Sequence, residues 1–414
     1  MFAKLALRSL LDRKGSVALS MMAMMISIFV LLGVEHIRHQ AKDSFSNTVS
    51  GVDLIVGAKT GKLNLLLYSV FRIGSPTNNI SWQSVERIAA SPQVKWAIPM
   101  SLGDSHKGYR VLGTSKDYFQ YFSYGQQHPL TFTKGHAFDG LFDVVLGSEV
   151  AKKLGYQLGD KVVLSHGIAR TSFSLHDDYP FTVVGILAPT GTPVDQTLHV
   201  SLGGIEAIHV DWHNGVKIPH SDTGKGHFTD AQLQPKSVTA LMLGLKSKIS
   251  TFGVQRQINN DTYEPLLAIL PGVALSELWQ MMGVLENTLL LVSALVFVAA
   301  CLGVSAMLLS SIRERSREIQ LLRVVGAPPH FLFWLIELEA LLITVVSMLL
   351  GAALLAACLA LSQDYLVSQF GLQIGAAINL ERSLAIMGIM LIASFVAALF
   401  PAIYASRKSL QAHG

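Results

Sequence analysis

The segment His209-Val-Asp-Trp-His213 carries the most metal-like spacing in the chain. If it is extended, His209, Asp211 and His213 share one face, because side chains alternate along a strand. If it is helical, the two histidines fall four residues apart on neighbouring turns. Either geometry offers Zn²⁺ two imidazoles and a carboxylate. His199, His220 and His227 are further candidate ligands, and ten of the 14 histidines lie between His106 and His227. The plainer reading is a set of solvated loop histidines on a polar lobe.

Other chemistry has little to stand on. Neither HExxH nor GxSxG occurs. Asp177-Asp178 and Asp104-Ser105-His106 read as surface loops. A phosphate-binding G-x-x-x-x-G-K-[ST] is also missing. Gly57-Ala-Lys-Thr-Gly61-Lys62-Leu63 has the wrong spacing, and a leucine stands where the Mg²⁺-binding hydroxyl belongs. The chain is expected to be a non-catalytic subunit that binds no cofactor of its own, zinc being the one candidate. Any ATP hydrolysis then belongs to another chain.

The elements that must position these residues are dominated by four charge-free apolar stretches. Gly15–Val34 has 20 residues, Asn287–Ile312 has 26, and Ala340–Gln363 and Ser383–Ser406 have 24 each. A helix needs about 20 predominantly apolar residues to cross the hydrocarbon of a bilayer, whereas core helices give runs of about 10–14. The chain is 50% hydrophobic and only 14% charged, against about 25% charge in soluble domains. The fold class expected is an α-helical membrane protein with four transmembrane helices, one plus three, and a large α+β extracytoplasmic domain between helices 1 and 2. The first stretch is longer than the apolar core of a signal peptide and runs into Glu35-His-Ile-Arg38 without a small-residue cleavage site, so it reads as a retained anchor.

Charge placement sets the expected orientation. Lys4, Arg8, Arg13 and Lys14 precede span 1; Arg313, Arg315, Arg317 and Arg323 follow span 2; Arg407 and Lys408 follow span 4. The connection between spans 3 and 4 has only Arg382. The positive-inside rule puts both termini and the 2–3 loop in the cytoplasm. The net charge of +4 is therefore topological and does not imply nucleic acid. The cores of the stretches hold no ionisable side chain, which argues against a secondary transporter coupled to protons or ions. Cys301 and Cys358 both lie in spans, so no disulfide framework supports the large domain.

Residues 1–14 read either as an amphipathic helix lying at the interface or as an ordinary flank of span 1. In the large domain, strands are expected at Val52–Val56, Tyr109–Leu112, Asp143–Leu146, Lys161–Leu164, Phe181–Leu187 and Ser237–Leu245. Helices are expected from Ser81 to about Ala90 and from Ser148 to Leu154, the latter ended by Gly155. Residues 213–236 read as a flexible loop. Val273–Leu285 keeps helical periodicity and is expected to continue span 2 outward.

The 2–3 loop is the best-defined local motif: Ser311-Ile-Arg-Glu-Arg-Ser-Arg-Glu-Ile-Gln-Leu-Leu-Arg-Val-Val-Gly-Ala327, then Pro328-Pro329. Arg313–Val325 is expected to be a short helix, with Gly326 as its C-terminal cap and the prolines stopping it. Such a helix held between two spans can take force from a motor protein. It can equally be a solvated, topology-setting basic loop.

The pattern Glu-Arg-x-x-Glu-Ile-x-x-Leu-Arg-x-x-Gly-Ala at Glu314–Ala327 resembles the permeases of the MacB/FtsX/LolC type. So do the one-then-three layout, the closing Pro401-Ala-Ile-Tyr-Ala-Ser-Arg-Lys-Ser-Leu410, Gly51-Val-Asp-Leu-Ile-Val56 after span 1, and Val145-Leu-Gly-Ser-Glu-Val-Ala151 leading into Leu158-Gly-Asp-Lys-Val162. The resemblance implies a mechanotransmitting permease subunit of an envelope ABC transporter in the bacterial inner membrane, with its large domain periplasmic. It implies a homodimer with two copies of an ABC ATPase, which binds the ATP and Mg²⁺. Its contact with that ATPase would be the helix after span 2: Arg313, Glu314, Arg315, Arg317, Glu318, Leu321, Leu322, Arg323 and Gly326. The domains expected are an N-terminal helix and span 1 at 1–38, a periplasmic domain at 39–283, span 2 at 284–312, a coupling helix at 313–330, span 3 at 331–363, a short loop at 364–382, and span 4 with a tail at 383–414. Within the periplasmic domain a base lobe takes about 39–105 and 231–275, and an inserted lobe about 106–230. Export, lipoprotein extraction, and control of a periplasmic or lipoprotein partner are the three jobs that compete. A zinc-linked transport or sensing component of the same architecture is the alternative.

Overall fold

A computed structural model describes the chain except residues 1, 47, 167–177, 211, 214–215, 218–227, 315–327, 371–379 and 412–414. The chain divides into two compact units. One gathers the span helices, and the other is built from residues 42–281.

Four helices are long and apolar enough to cross a membrane: Lys14–Ser46, Pro271–Glu314, Pro329–Phe370 and Leu380–Gln411. A mixed α+β domain lies between the first and the second, as the charge-free stretches predict. The second begins at Pro271, so the periodicity of Val273–Leu285 does belong to it. Its 44 residues make about 66 Å of helix at ~1.5 Å per residue, against about 30 Å of hydrocarbon.

Small and hydroxyl side chains pack the span helices together, as they must where helices gain little from excluding water. Ser347 Oγ on span 3 donates to Met21 O on span 1 at 3.1 Å. Thr344 and Ser394 join spans 3 and 4 at 2.6 Å, and Ser305 on span 2 donates to Ala397 O on span 4 at 2.9 Å. A Cβ at Gly351 would stand 3.1 Å from Met25 O, so spans 1 and 3 meet at a glycine. The N-terminal helix, Phe2–Leu11, turns at Asp12–Arg13 and buries Ala6, Ser9 and Leu10 against protein, with Leu7 and Leu11 exposed.

The domain between the spans is built on one mixed, eleven-stranded sheet. Its main strands are β1 (Leu54–Ala58), β2 (Val94–His106), β3 (Tyr109–Thr114), β4 (Phe132–Gly135), β5 (Asp143–Leu146), β6 (Phe181–Leu187), β7 (Thr197–Ser201), β8 (Ala240–Leu245) and β9 (Leu266–Ile269). They run in the order β9-β1-β8-β2-β3-β7-β5-β6-β4. The pairs β3–β7 and β5–β6 are parallel, and the others on this path are antiparallel. Around the sheet lie α1 (Lys62–Ser69), α2 (Trp82–Ala89), α3 (Asp117–Tyr121), α4 (Ser148–Leu154), α5 (Leu202–His209) and α6 (Thr251–Asn259).

Continuous apolar runs, rather than alternating ones, are what two-sided burial requires. Successive residues of β1 enter different cores: Ile55 joins Leu65, Leu66, Tyr68 and Tyr118, while Leu54 and Val56 join Val85 and Ile88 of α2 and Val254 and Ile258 of α6. In β5, Val145 enters the first of these cores, and Val144 and Leu146 join a third with Val150 of α4 and Ile205 of α5. Ser81 caps α2 by accepting from Ser84 N at 3.3 Å. Gly155 ends α4 at φ 72°, a left-handed conformation that glycine takes without strain.

Gly244 faces Trp96 across the β8–β2 pair. A Cβ there would meet the Trp96 ring at 2.1 Å, and that ring is stacked on Tyr121 at 5.6 Å. Gly244→Val must therefore displace the indole. A destabilisation of about 1–3 kcal/mol is expected, read from denaturant unfolding. Adding Trp96→Ala to Gly244→Ala should recover part of that variant's loss. Wild-type stability in Gly244→Val would refute this packing.

Candidate functional site

The residues expected to bind metal do not share one element. Helix α5 ends at His209, and the next strand residues are Trp212-His213, which pair with Val216-Lys217. The segment is thus neither one strand nor one helix, so neither geometry that would line up the two histidines applies. Asp211, His220 and His227 lie outside the described residues, as does the side chain of His213. Among the described residues, no three His, Cys, Asp or Glu side chains converge as a metal site requires.

His209 instead meets a residue far away in sequence. Its Nε2 lies 3.7 Å from Asp104 Oδ1. Burial disfavours the imidazolium, but the Asp104 carboxylate outweighs it, helped by the Ile205 carbonyl and by Glu206, and the pKa is raised. Asp104-Ser105-His106 is not a surface loop. It ends β2, and all three residues are buried. A register shift between Leu102 and Ser105 re-aims these side chains. The Lys107-Gly108 turn, with φ 48° and 89°, then leads into β3.

His106 has a definite tautomer. Its Nδ1 donates to Val163 O at 2.6 Å, so Nε2 accepts from the Tyr156 hydroxyl at 2.9 Å, and Lys107 Nζ donates to the same phenolic oxygen at 3.1 Å. Burial, against the Val163 carbonyl and with the Lys107 charge, lowers its pKa and agrees with a neutral ring. His199 on β7 is fully buried between Tyr118 and Phe119, with ring centroids at 5.2 and 5.9 Å. Burial and then the Arg72 charge push its pKa down to about 3. That side chain is part of the core.

At the end of span 2, Arg313 and Glu314 are exposed on the last described turn. The other residues expected to meet an ATPase, Arg315, Arg317, Glu318, Leu321, Leu322, Arg323 and Gly326, lie outside the described residues. Two acidic residues passed over in reading the sequence are found in span 3. Its helix starts at Pro329, ahead of the charge-free stretch, and so includes Glu337 and Glu339, both buried. Glu339 accepts from Ser9 Oγ at 2.5 Å and lies 3.9 Å from Arg13 Nη2. Glu339 thus packs against the N-terminal helix.

A family model for the MacB-like periplasmic core domain matches residues 17–260, and one for the FtsX-like permease C-terminal region matches residues 290–410. Among solved structures, the chain is similar to the periplasmic region of MacB from Actinobacillus actinomycetemcomitans, at 9% identity and a TM-score of 0.35, over 56% of this chain and 94% of that one. It is also similar to the extracellular domain of the noncanonic ABC-type transporter YknZ from Gram-positive bacteria, at 12% identity and a TM-score of 0.31, over 53% and 98%. No curated protein matches the chain.

The two histidines act on stability with opposite signs. The His209 pKa is raised, so its contribution is complete below the unfolded value of about 6.5 and is lost as pH rises through the folded value. The His199 pKa is lowered, so its contribution is present above about 6.5 and is lost as pH falls toward about 3. Asp104→Asn is therefore expected to destabilise more at about pH 5.5 than at about pH 8.5, by about 1 kcal/mol. Thermal unfolding of the full chain at the two pH values checks it; equal losses would rule out the ion pair.

Proposed function

The chain belongs to the MacB/FtsX-like family of ABC transporter permeases, and on that premise we propose that it is the passive membrane subunit that carries motion from an ATPase to its inter-span domain. Such permeases work with ABC ATPase partners, and as a class they are generally non-catalytic membrane subunits. The observation that carries the reading is the pair of family matches, which fall in order on span 1 with the inter-span domain and on the three C-terminal spans.

The physical form of the chain supports it. Span 1 and span 2 are uninterrupted helices of 33 and 44 residues. The first turns of the span 2 helix pack in the inter-span domain, where Ala274 and Leu275 join the core of β1 and Lys62 pairs with Glu277 at 2.9 Å. A helix without a break transmits a displacement along its axis instead of absorbing it. The segment from Arg313 to Gly326 is the proposed ATPase contact, with Arg313 and Glu314 exposed at its start. The missing phosphate-binding loop supports giving ATP and Mg²⁺ to the partner in this proposal.

On this proposal two copies of the chain meet two ATPases in a bacterial inner membrane. The termini and the 2–3 loop are cytoplasmic, and the inter-span domain is periplasmic. Its work there is export or the handling of a lipoprotein or other envelope client. The base and inserted lobes keep the boundaries given above.

Charge reversal tests the coupling. Arg313, Arg315 and Arg317 changed together to Glu should leave membrane insertion intact and lower stimulation of the partner ATPase at least about tenfold, the size of roughly 1.4 kcal/mol of lost interaction. Stimulation at the wild-type level by the inserted variant would remove the Arg313–Gly326 segment as the contact.

A further inference from the structure

A cleft of about 270 Å³ opens between span 1 and span 2 at the end where Arg13 and Glu314 lie. Its polar lining is Arg13, Ser16 and Ser20 from the span 1 side, and Ser310, Ser311 and Glu314 from span 2; a leucine and a methionine complete it. The volume falls just under the range of about 300–1,000 Å³ that holds drug-sized ligands, which suits a headgroup.

Three hydroxyls of this cleft differ from most others in the spans. Ser27, Thr288, Ser293 and Thr344 each donate to the carbonyl four residues earlier, at 2.8–3.0 Å, which is how a hydroxyl is satisfied in a membrane helix. Ser16, Ser20 and Ser311 make no hydrogen bond among the described residues, although Ser311 is only 5% exposed. Ser310 leans toward Glu314, with Oγ 3.5 Å from Oε1. Three hydroxyls with no partner among the described residues thus stand beside a guanidinium and a carboxylate.

We propose that this cleft binds the headgroup of a zwitterionic phospholipid carrying a primary amine, of the phosphatidylethanolamine type. The phosphate takes hydrogen bonds from the Arg13 guanidinium and from Ser16, Ser20 and Ser311. The ammonium donates to Glu314 and to Ser310. Arg13 already holds Ser9 at 3.1 Å and stands 3.9 Å from Glu339, but a guanidinium has five N–H donors. Among the described residues, one cation and one carboxylate line the cleft, which matches a neutral zwitterion better than a net anion. A quaternary choline offers no N–H to Glu314, so the site discriminates against it.

The depth is right for a headgroup. Along span 1 the lining runs from Arg13 to Ser20, and along span 2 from Glu314 back to Ser310, with both charges outside the charge-free stretches and the serines at their edges. Seven residues of helix cover about 10 Å, the thickness of the boundary between headgroups and acyl chains. A lipid held there would wedge between the two helices that flank the inter-span domain in sequence. The assignment needs only that the spans cross a bilayer, and it stands or falls independently of the ATPase contact.

The test uses the full chain purified in detergent and stripped of lipid, with native mass spectrometry counting the lipid retained. Dioleoyl phosphatidylethanolamine should be retained at least about tenfold better than dioleoyl phosphatidylcholine. Ser16→Leu with Ser311→Leu, which fills the cleft, should remove that preference. Equal retention of the two lipids, or an unchanged preference in the filled variant, would overturn the proposal. As a readout that needs no variant, a photoreactive phosphatidylethanolamine should label the wild-type chain at residues 13–20 or 307–314. Labelling elsewhere would count against the site. Displacement of the lipid by millimolar inorganic phosphate or phosphoethanolamine alone would give the cleft to a soluble ligand. Crosslinking of a Ser310→Cys variant to a co-purifying protein, with no lipid labelling, would give it to a protein. Either result overturns the lipid assignment.

Discussion

Hydrocarbon offers no water to a polar group, and that constraint arranges the membrane half of this chain. It makes the spans helical, so that each backbone group is paired within its own segment. It turns the buried hydroxyls inward onto carbonyls, as Ser27 and Thr344 do, or across to a neighbouring helix, as Ser305 and Ser347 do. It also confines charge to the ends. Arg38 reaches Glu35 and Glu286 at 3.5 Å and joins span 1 to span 2 at one end, while Arg13, Ser9 and Glu339 form a second polar knot in the membrane unit. The apolar middles between carry the contacts at Gly351 and at the Thr344–Ser394 pair.

The same reasoning shows why the span 3 glutamates escape a hydropathy reading. A window that stops at the first charge begins the span at Ala340 and leaves Glu337 and Glu339 outside it. The helix itself is not bound by the window. Ionisable groups are tolerated in a span where protein covers and pairs them, and Glu339 is covered by a helix from the other end of the chain. That partner is 330 residues away. Nothing in the local sequence of span 3 announces it.

Elsewhere legibility follows how local the physics is. Asp143–Leu146, Ser148–Leu154 and Phe181–Leu187 have the bounds read from the sequence, because an apolar run, a left-handed Gly155 and a flanking turn each act within a few residues. Strand β2 was hidden. Pro99, Gly103 and Asp104 break its pattern, and its continuity comes from β8 and β3 on either side, with the register shift absorbed at Leu102–Ser105. The domain's histidines were legible as a concentration but not as a site. Asp104 lies on β2 and His209 at the end of α5, and only the sheet brings them together. The metal-like spacing of His209 and His213 spans a change from helix to strand, and spacing implies a shared face only inside one regular element.

The span 2 helix is longer than a bilayer requires, and composition could not supply that length. About 30 Å of hydrocarbon uses some 20 residues, and the helix has 44. The surplus at its N-terminal end is amphipathic enough to bury Ala274 beside β1 and to present Glu277 to Lys62. A flexible hinge at the membrane boundary would need a proline, a glycine pair or an inserted group to release the ladder of hydrogen bonds. Pro271 occupies the first position, where a missing N–H costs nothing. Gly283 is a lone glycine, and the helix continues through it. No break of these kinds interrupts the helix between Pro271 and Glu314.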